Sequence, residues 1–144
     1  MSAMSDYLEN KLIDQLFRGQ TFTPPATLYV GLLTAAPSDS GGGTEVSGSN
    51  YSRASVAASL AGWAGTQSTG STTTSSGTGG QTSNNAAISF PTPAATWGTI
   101  THFGVYDAAT GGNLLFWGAL TISKTINQAD TVQFPAASLT FTLA

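Results

Sequence analysis

The sequence contains no cysteine, one histidine and only eleven charged side chains in 144 residues. Each scarcity excludes a class of chemistry. Without cysteine there are no disulfides, thiolate metal sites or cysteine nucleophiles. One histidine and no thiol are too little for a zinc cluster. Charged residues make up 8% of the chain, where a soluble domain ordinarily carries about 25%. The four cations, Lys11, Arg18, Arg53 and Lys124, are scattered. They form no basic patch that would neutralise phosphates, so nucleic acid is not an expected partner. The seven acids are too few for a solvating tail. No apolar run approaches the ~20 residues needed to cross a bilayer, and Met1–Tyr7 has neither a basic start nor an apolar signal core. The expectation is a soluble, non-enzymatic protein made inside the cell, with no membrane partner.

The length suits one domain over residues 1–144, large enough to enclose a real core. Charge is unevenly spread along it. Five of the eleven charged residues (Asp6, Glu9, Lys11, Asp14, Arg18) lie in the first eighteen positions, and none lies between Ala54 and Tyr106. A chain this poor in charge suits a permanent place in an assembly better than life as a free monomer.

One helix is expected, over residues 6–18. Asp6 with Glu9 three residues later resembles a capping box. Leu8, Leu12 and Leu16 with Ile13 and Phe17 form one apolar stripe. Asp14 and Arg18 are spaced to pair, and Gly19 suits the left-handed stop. Two placements suit the stripe: over an open end of its own fold, which is preferred, or on a partner subunit.

Everything from Thr21 on reads as β, over residues 21–64 and 86–144. Thr27–Leu33 is apolar on both faces, as a central strand should be. Tyr51–Leu60 is a weaker, alanine-rich strand. Residues 65–85 are a low-complexity tract of Ser, Thr, Gly, Gln and Asn, expected as a mobile or partner-ordered loop rather than a polar hairpin. Ile88 and Phe90 alternate before Pro91 and Pro93. Trp97–Tyr106 is a longer strand with Trp97, Phe103 and Val105 on one face, and Ile100, His102 and Tyr106 on the other. Asp107–Asn113 reads as a turn, returning through Leu114–Leu120. Val132 with Phe134, and Leu139 with Phe141 and Leu143, complete the pattern. Seven or eight short strands with Gly/Pro turns and one helix imply an all-β sandwich, with a jelly roll as the expected form.

Tests for chemistry return little. His102 is the only base available to a Ser-His-Asp arrangement, and no nucleophile elbow accompanies it. Asp39, Glu45, Asp107 and Asp130 are the carboxylates open to a hydrolytic pair. Asp107 and Asp130 read more simply as caps on turn amides. Gly41–Gly43 does not lead from a strand into a helix, so it is no phosphate loop. The Asp39–Glu45 stretch lacks the oxygen-rich alternation of a calcium loop. Trp63, Trp97 and Trp117 would serve a sugar platform only if their faces were exposed, and strand aromatics are more often core. No catalytic, cofactor-binding or metal-binding residue is therefore assigned, and no cofactor is expected.

The segments Asp6–Gly19, Leu28–Pro37, Gly41–Gly48 and Tyr51–Arg53 recur with Trp97–Asp107, Gly111–Gly118 and Asn127–Val132 in a joint pattern. It resembles a family of small virion structural proteins of tailed bacteriophages, often labelled hypothetical or tail fibre proteins. In size and β character the chain is also similar to jelly-roll capsid cement proteins. The resemblance implies a structural role without catalytic residues, in a protein made in the host bacterial cytoplasm. The leading expectation is a capsid cement, or decoration, protein on the capsid surface. It would act as a dimer or trimer bridging the major capsid protein lattice. A tail-associated or tail-fibre structural protein is the alternative, and a carbohydrate-binding module is a further one.

Overall fold

A computed structural model describes residues 2–143. The chain opens with a three-residue strand, β1 (Ser2–Met4), and turns at Ser5 into the helix α1 (Asp6–Phe17). Ser5, not Asp6, is the N-cap: its hydroxyl accepts from the Leu8 amide at 3.3 Å. Asp6 and Glu9 sit in the first turn instead, where their charge still favours the positive end of the helix dipole. At the other end Arg18 pairs with Asp14 at 2.9 Å, and Gly19 takes the expected left-handed conformation at φ 67°.

Ten strands follow the antiparallel pattern, two or three more than the sequence suggests. The surplus consists of short segments that the sequence does not mark: β1, β3 (Thr44–Glu45) and β5 (Gln81–Ser83), of three, two and three residues. The expected strands at Ile88 and at Val132–Phe134 are present as β6 (Ile88–Ser89) and β9 (Gln133–Phe134), two residues each. The larger sheet runs in the order β1, β8 (Leu114–Ile126), β7 (Gly98–Tyr106), β2 (Thr27–Ala35), β3, and β4 (Ala54–Ala57) also pairs with β2. Over its inner face lie two ribbons. One joins β5 (Gln81–Ser83) to β10 (Thr140–Thr142), and the other joins β6 to β9. The result is an all-β sandwich of one six-stranded sheet against two ribbons. The strand order does not trace the eight-stranded double Greek key of a jelly roll.

The core lies between these layers. Val30 and Leu32 of β2, Ile100, Phe103 and Val105 of β7, Ile88 and Phe90 around β6, and Leu139 with Phe141 at β10 are all buried in one cluster. Phe103 meets Phe134 and Phe141 edge-on, with centroids 6.1 and 5.9 Å away, geometry favoured by the ring quadrupole. The strand parity expected for β7 holds for Phe103 and Val105 and fails at Ile100, which is buried with them. The cause is a break in register: Ile100 pairs with Lys124, but His102 pairs with Ala119. Thr101 of β7 and residues 120–123 of β8 fall within that break, so alternation is not carried across it and Ile100 faces the core with Phe103.

The polar tract is not a free loop throughout. Gln81–Ser83 is a core-covering strand, and Asn84 just beyond it is 1% exposed. Its side-chain amide donates to the Ala86 and Pro135 carbonyls at 2.8 and 2.9 Å and accepts from the Leu139 amide at 2.9 Å. Asn84 thus ties the two ribbons together. Earlier in the tract, Gln67 binds Ser71, Thr73 and Thr74 and accepts from the Ser76 amide. These bonds link residues 67–76 to one another in the exposed part of the tract, which forms neither helix nor strand before Gln81.

Candidate functional site

The outer face of the sheet carries the most elaborate polar cluster, and glycine makes it possible. Gly31 on β2 and Gly104 on β7 are cross-strand partners. Together they leave a shallow slot into which the Tyr106 ring folds back. A Cβ at Gly104 would come within 2.8 Å of that ring, and one at Gly31 within 2.7 Å of the Glu45 carboxylate. Arg53 lies flat on the other side of the ring, its guanidinium carbon 3.5 Å from the centroid. The same guanidinium forks onto both oxygens of Glu45 at 2.8 Å and donates to the Ala108 and Gly111 carbonyls at 2.7 and 2.8 Å. Tyr51 completes the cluster, donating to Glu45 at 2.8 Å and accepting from the Leu32 amide at 2.9 Å.

Every charge in this clamp is matched. Burial pulls the Arg53 guanidinium down, but the hydrogen bonds and charge of Glu45 outweigh it and the group is held above its ordinary value. Burial pushes both the Tyr51 and Tyr106 phenols up, and the adjacent Glu45 carboxylate pushes further in the same direction. Through these bonds the cluster ties Glu45 of β3, Tyr51, and the Ala108 and Gly111 carbonyls of the 107–113 turn to Arg53, the residue before β4. Its chemistry is that of a rivet. Sequence reasoning met Glu45, Tyr51, Arg53 and Tyr106 separately, as a carboxylate, a strand start, a scattered cation and a strand end, because nothing in their spacing announces that they meet.

The residues singled out for catalysis are dispersed. The His102 Nδ1 bonds the neighbouring Thr101 hydroxyl at 2.8 Å. Asp107 accepts from the amide and side chain of Asn113, both at 2.7 Å, closing the β7–β8 turn. Asp130 accepts from the Asn127 amide at 2.7 Å. Asp39 takes the Trp117 indole N–H at 2.9 Å, and Glu45 is in the clamp. Among the described residues, no group of three His, Asp or Glu side chains is placed to hold a metal ion. Trp97 is buried against Tyr51, and Trp63 and Trp117 are half-buried.

What the surface does present is apolar. Leu8 is the only buried residue of α1. Leu8 and the half-buried Leu12 face the sandwich beside β8, but Ile13, Leu16 and Phe17 are 50, 72 and 82% exposed, so the preferred packing holds only for the first half of the stripe. A second apolar feature lies where β8 bulges. Ile122, at the crest of the bulge, is 80% exposed. Beside it a groove of about 530 Å³ opens between Leu120–Lys124 and the β9–β10 region, reaching Phe103 and Leu139 at its floor. No helix of the described chain is long and apolar enough to cross a membrane.

The described surface thus combines a matched polar cluster with bare apolar side chains. Comparison with protein families gives this a setting: the family model described as "Podophage GP4 fiber I protein gp80" matches residues 3–142. The chain belongs to this family. Membership in the podophage fibre I family makes it a small virion structural protein of a tailed phage. The match takes in the helix, both layers of the sandwich and the polar tract, so the whole described fold is the family's unit. A comparison with curated proteins gave no match.

Proposed function

We propose that the chain is a structural subunit of a fibre-type appendage on the virion, without catalytic activity, working by contacts between copies and with neighbouring virion proteins. The observation that carries this reading is the family match over residues 3–142, whose description names a fibre protein. Two structural features support it. The carboxylates and the histidine open to catalysis are each engaged in a hydrogen bond within the fold, and α1 and β8 expose the large apolar side chains Ile13, Leu16, Phe17 and Ile122.

Capsid cement, the leading expectation from the sequence, draws no support from a match to a fibre protein, and the tail-fibre alternative is now the stronger reading. Copy number separates the two. Quantitative mass spectrometry of purified virions should find this chain at a small fraction of the major shell subunit, and antibody labelling should decorate the appendages. A ratio near that of the shell subunit, with label over the capsid, would instead make it cement. Absence from the particle would overturn both.

A further inference from the structure

We infer that copies of this chain join head to tail, the exposed face of α1 on one copy seating in the groove beside the β8 bulge of the next. The inference deepens the proposed role as an assembling subunit and names the surfaces through which copies meet.

The two surfaces are complementary in shape. The end of α1 is convex and apolar, with Ile13, Leu16 and Phe17 bare. The groove is concave, with Leu120, Ile122 and Phe134 on its walls. They are complementary in charge as well. Lys124 on the groove is the one cation among the described residues with neither an acidic nor an aromatic partner: Arg18 pairs with Asp14, Arg53 with Glu45, and Lys11 lies over Tyr7. Glu9 lies one helical turn before Ile13, so it shares the apolar face, and it forms no ion pair among the described residues. A knob carrying one free anion and a groove carrying one free cation fix both fit and orientation.

The backbone beside the groove is open too. Among the described residues β1 pairs with β8 at Phe116–Gly118, and the β7 register passes from Ala119 to Lys124, so residues 120–123 have no ladder partner among them. Ile13, Leu16 and Phe17 together offer on the order of 400 Å², given roughly 150–250 Å² for one aromatic alone. Each contact therefore buries about half the ~800 Å² per partner of a standard interface, the size of a weak contact. A copy that uses its knob and its groove at once makes two such contacts, so repetition along the array holds it together. Because knob and groove are different patches, the contact is heterologous. It closes into a ring or continues as a filament.

The test is sedimentation velocity on the full chain and two variants at exposed positions, Phe17→Asp on the knob and Ile122→Asp on the groove, with circular dichroism to verify folding. The expected result is assembly of the wild type and self-association weakened more than about thirtyfold in each variant, as for loss of one anchor residue. An equimolar mixture of the two variants should form a one-to-one pair and nothing larger, because each retains the surface that the other lacks. Glu9→Lys and Lys124→Glu should each weaken assembly and together restore it. A monomeric wild type, variants that assemble like the wild type, or folded variants whose mixture stays monomeric would each overturn the inference. Virion copy number, read separately, bears on the fibre role and not on these surfaces.

Discussion

Arg53 lies 3.5 Å above the centre of the Tyr106 ring while its fork grips both oxygens of Glu45. Its side chain is 7% exposed and that of Glu45 25%, so removing one partner strands a largely desolvated charge. Arg53→Ala should lower stability by about 3–5 kcal/mol. Arg53→Lys should recover only part of that, because an ammonium neither stacks nor forks. Urea denaturation with both variants checks this, and equal stability of Lys and wild type would count against the stacking geometry.

The slot beneath the ring predicts a different failure. Gly104→Ala places a methyl 2.8 Å from Tyr106 and 3.0 Å from Leu114, and overpacking of this kind costs about 1–3 kcal/mol. The loss should shrink in a Tyr106→Leu background, where the ring no longer occupies the slot. A double-mutant cycle by thermal denaturation measures that coupling.

Alkaline pH should loosen the same cluster. Tyr51 and Tyr106 are both held above the ordinary tyrosine value of 10.0. The folded state therefore keeps protons that the unfolded chain releases. The stabilisation is complete below pH 10 and declines as pH rises above it, by at most about 1.4 kcal/mol per pH unit for each phenol. Denaturation midpoints between pH 8 and 11.5 should be flat at first and then fall. Tyr51→Phe should reduce the slope.

Asn84 predicts that the polar tract contains a core residue. Asn84→Leu is close in size but leaves the Leu139 amide and the Ala86 and Pro135 carbonyls without their partner. Each orphaned buried group costs about 1–3 kcal/mol, enough to threaten folding at this site. Thr73→Ala, in the exposed part of the same tract, should change stability by less than about 0.5 kcal/mol. Hydrogen exchange at Leu139 would report the Asn84 effect directly.

The helix should respond unevenly along its length. Ser5 caps α1 and also donates to the Leu114 carbonyl, so Ser5→Ala should cost about 1–2 kcal/mol. Leu8→Ala, at the helix's one buried position, should cost about 2–3 kcal/mol. Phe17→Ser should leave the melting curve of the isolated chain within about 0.5 kcal/mol of wild type.

How much of this was legible in the sequence depended on whether the signal was local. The helix and its Asp14–Arg18 pair, the doubly buried β2 and the Asp107–Asn113 turn all announce themselves within a dozen residues. The register break at Ile100 does not. Period-two alternation assumes uninterrupted pairing, and the extra residues responsible lie on the partner strand. The clamp of residues 45, 51, 53 and 106 is equally silent, because its members meet only once three strands are assembled. Asn84 was hidden by its company: compositional reading treats every residue of a Ser/Thr/Gly tract as alike. The apolar stripe of α1 was legible as a stripe, but periodicity marks a face to be covered without saying by which molecule.

The pairing of β1 with β8 and of β5 with β10 sets a timetable for folding. A nascent chain emerging at about 5–20 residues per second cannot close its larger sheet until Gly118 has left the ribosome. It cannot cover its core until Thr140–Thr142 follows. Each layer thus closes through strands far apart along the chain, and contacts this distant in sequence make for slow folding. A chain that stopped before Thr140–Thr142 would leave β5 with no strand to join and the core open on that side.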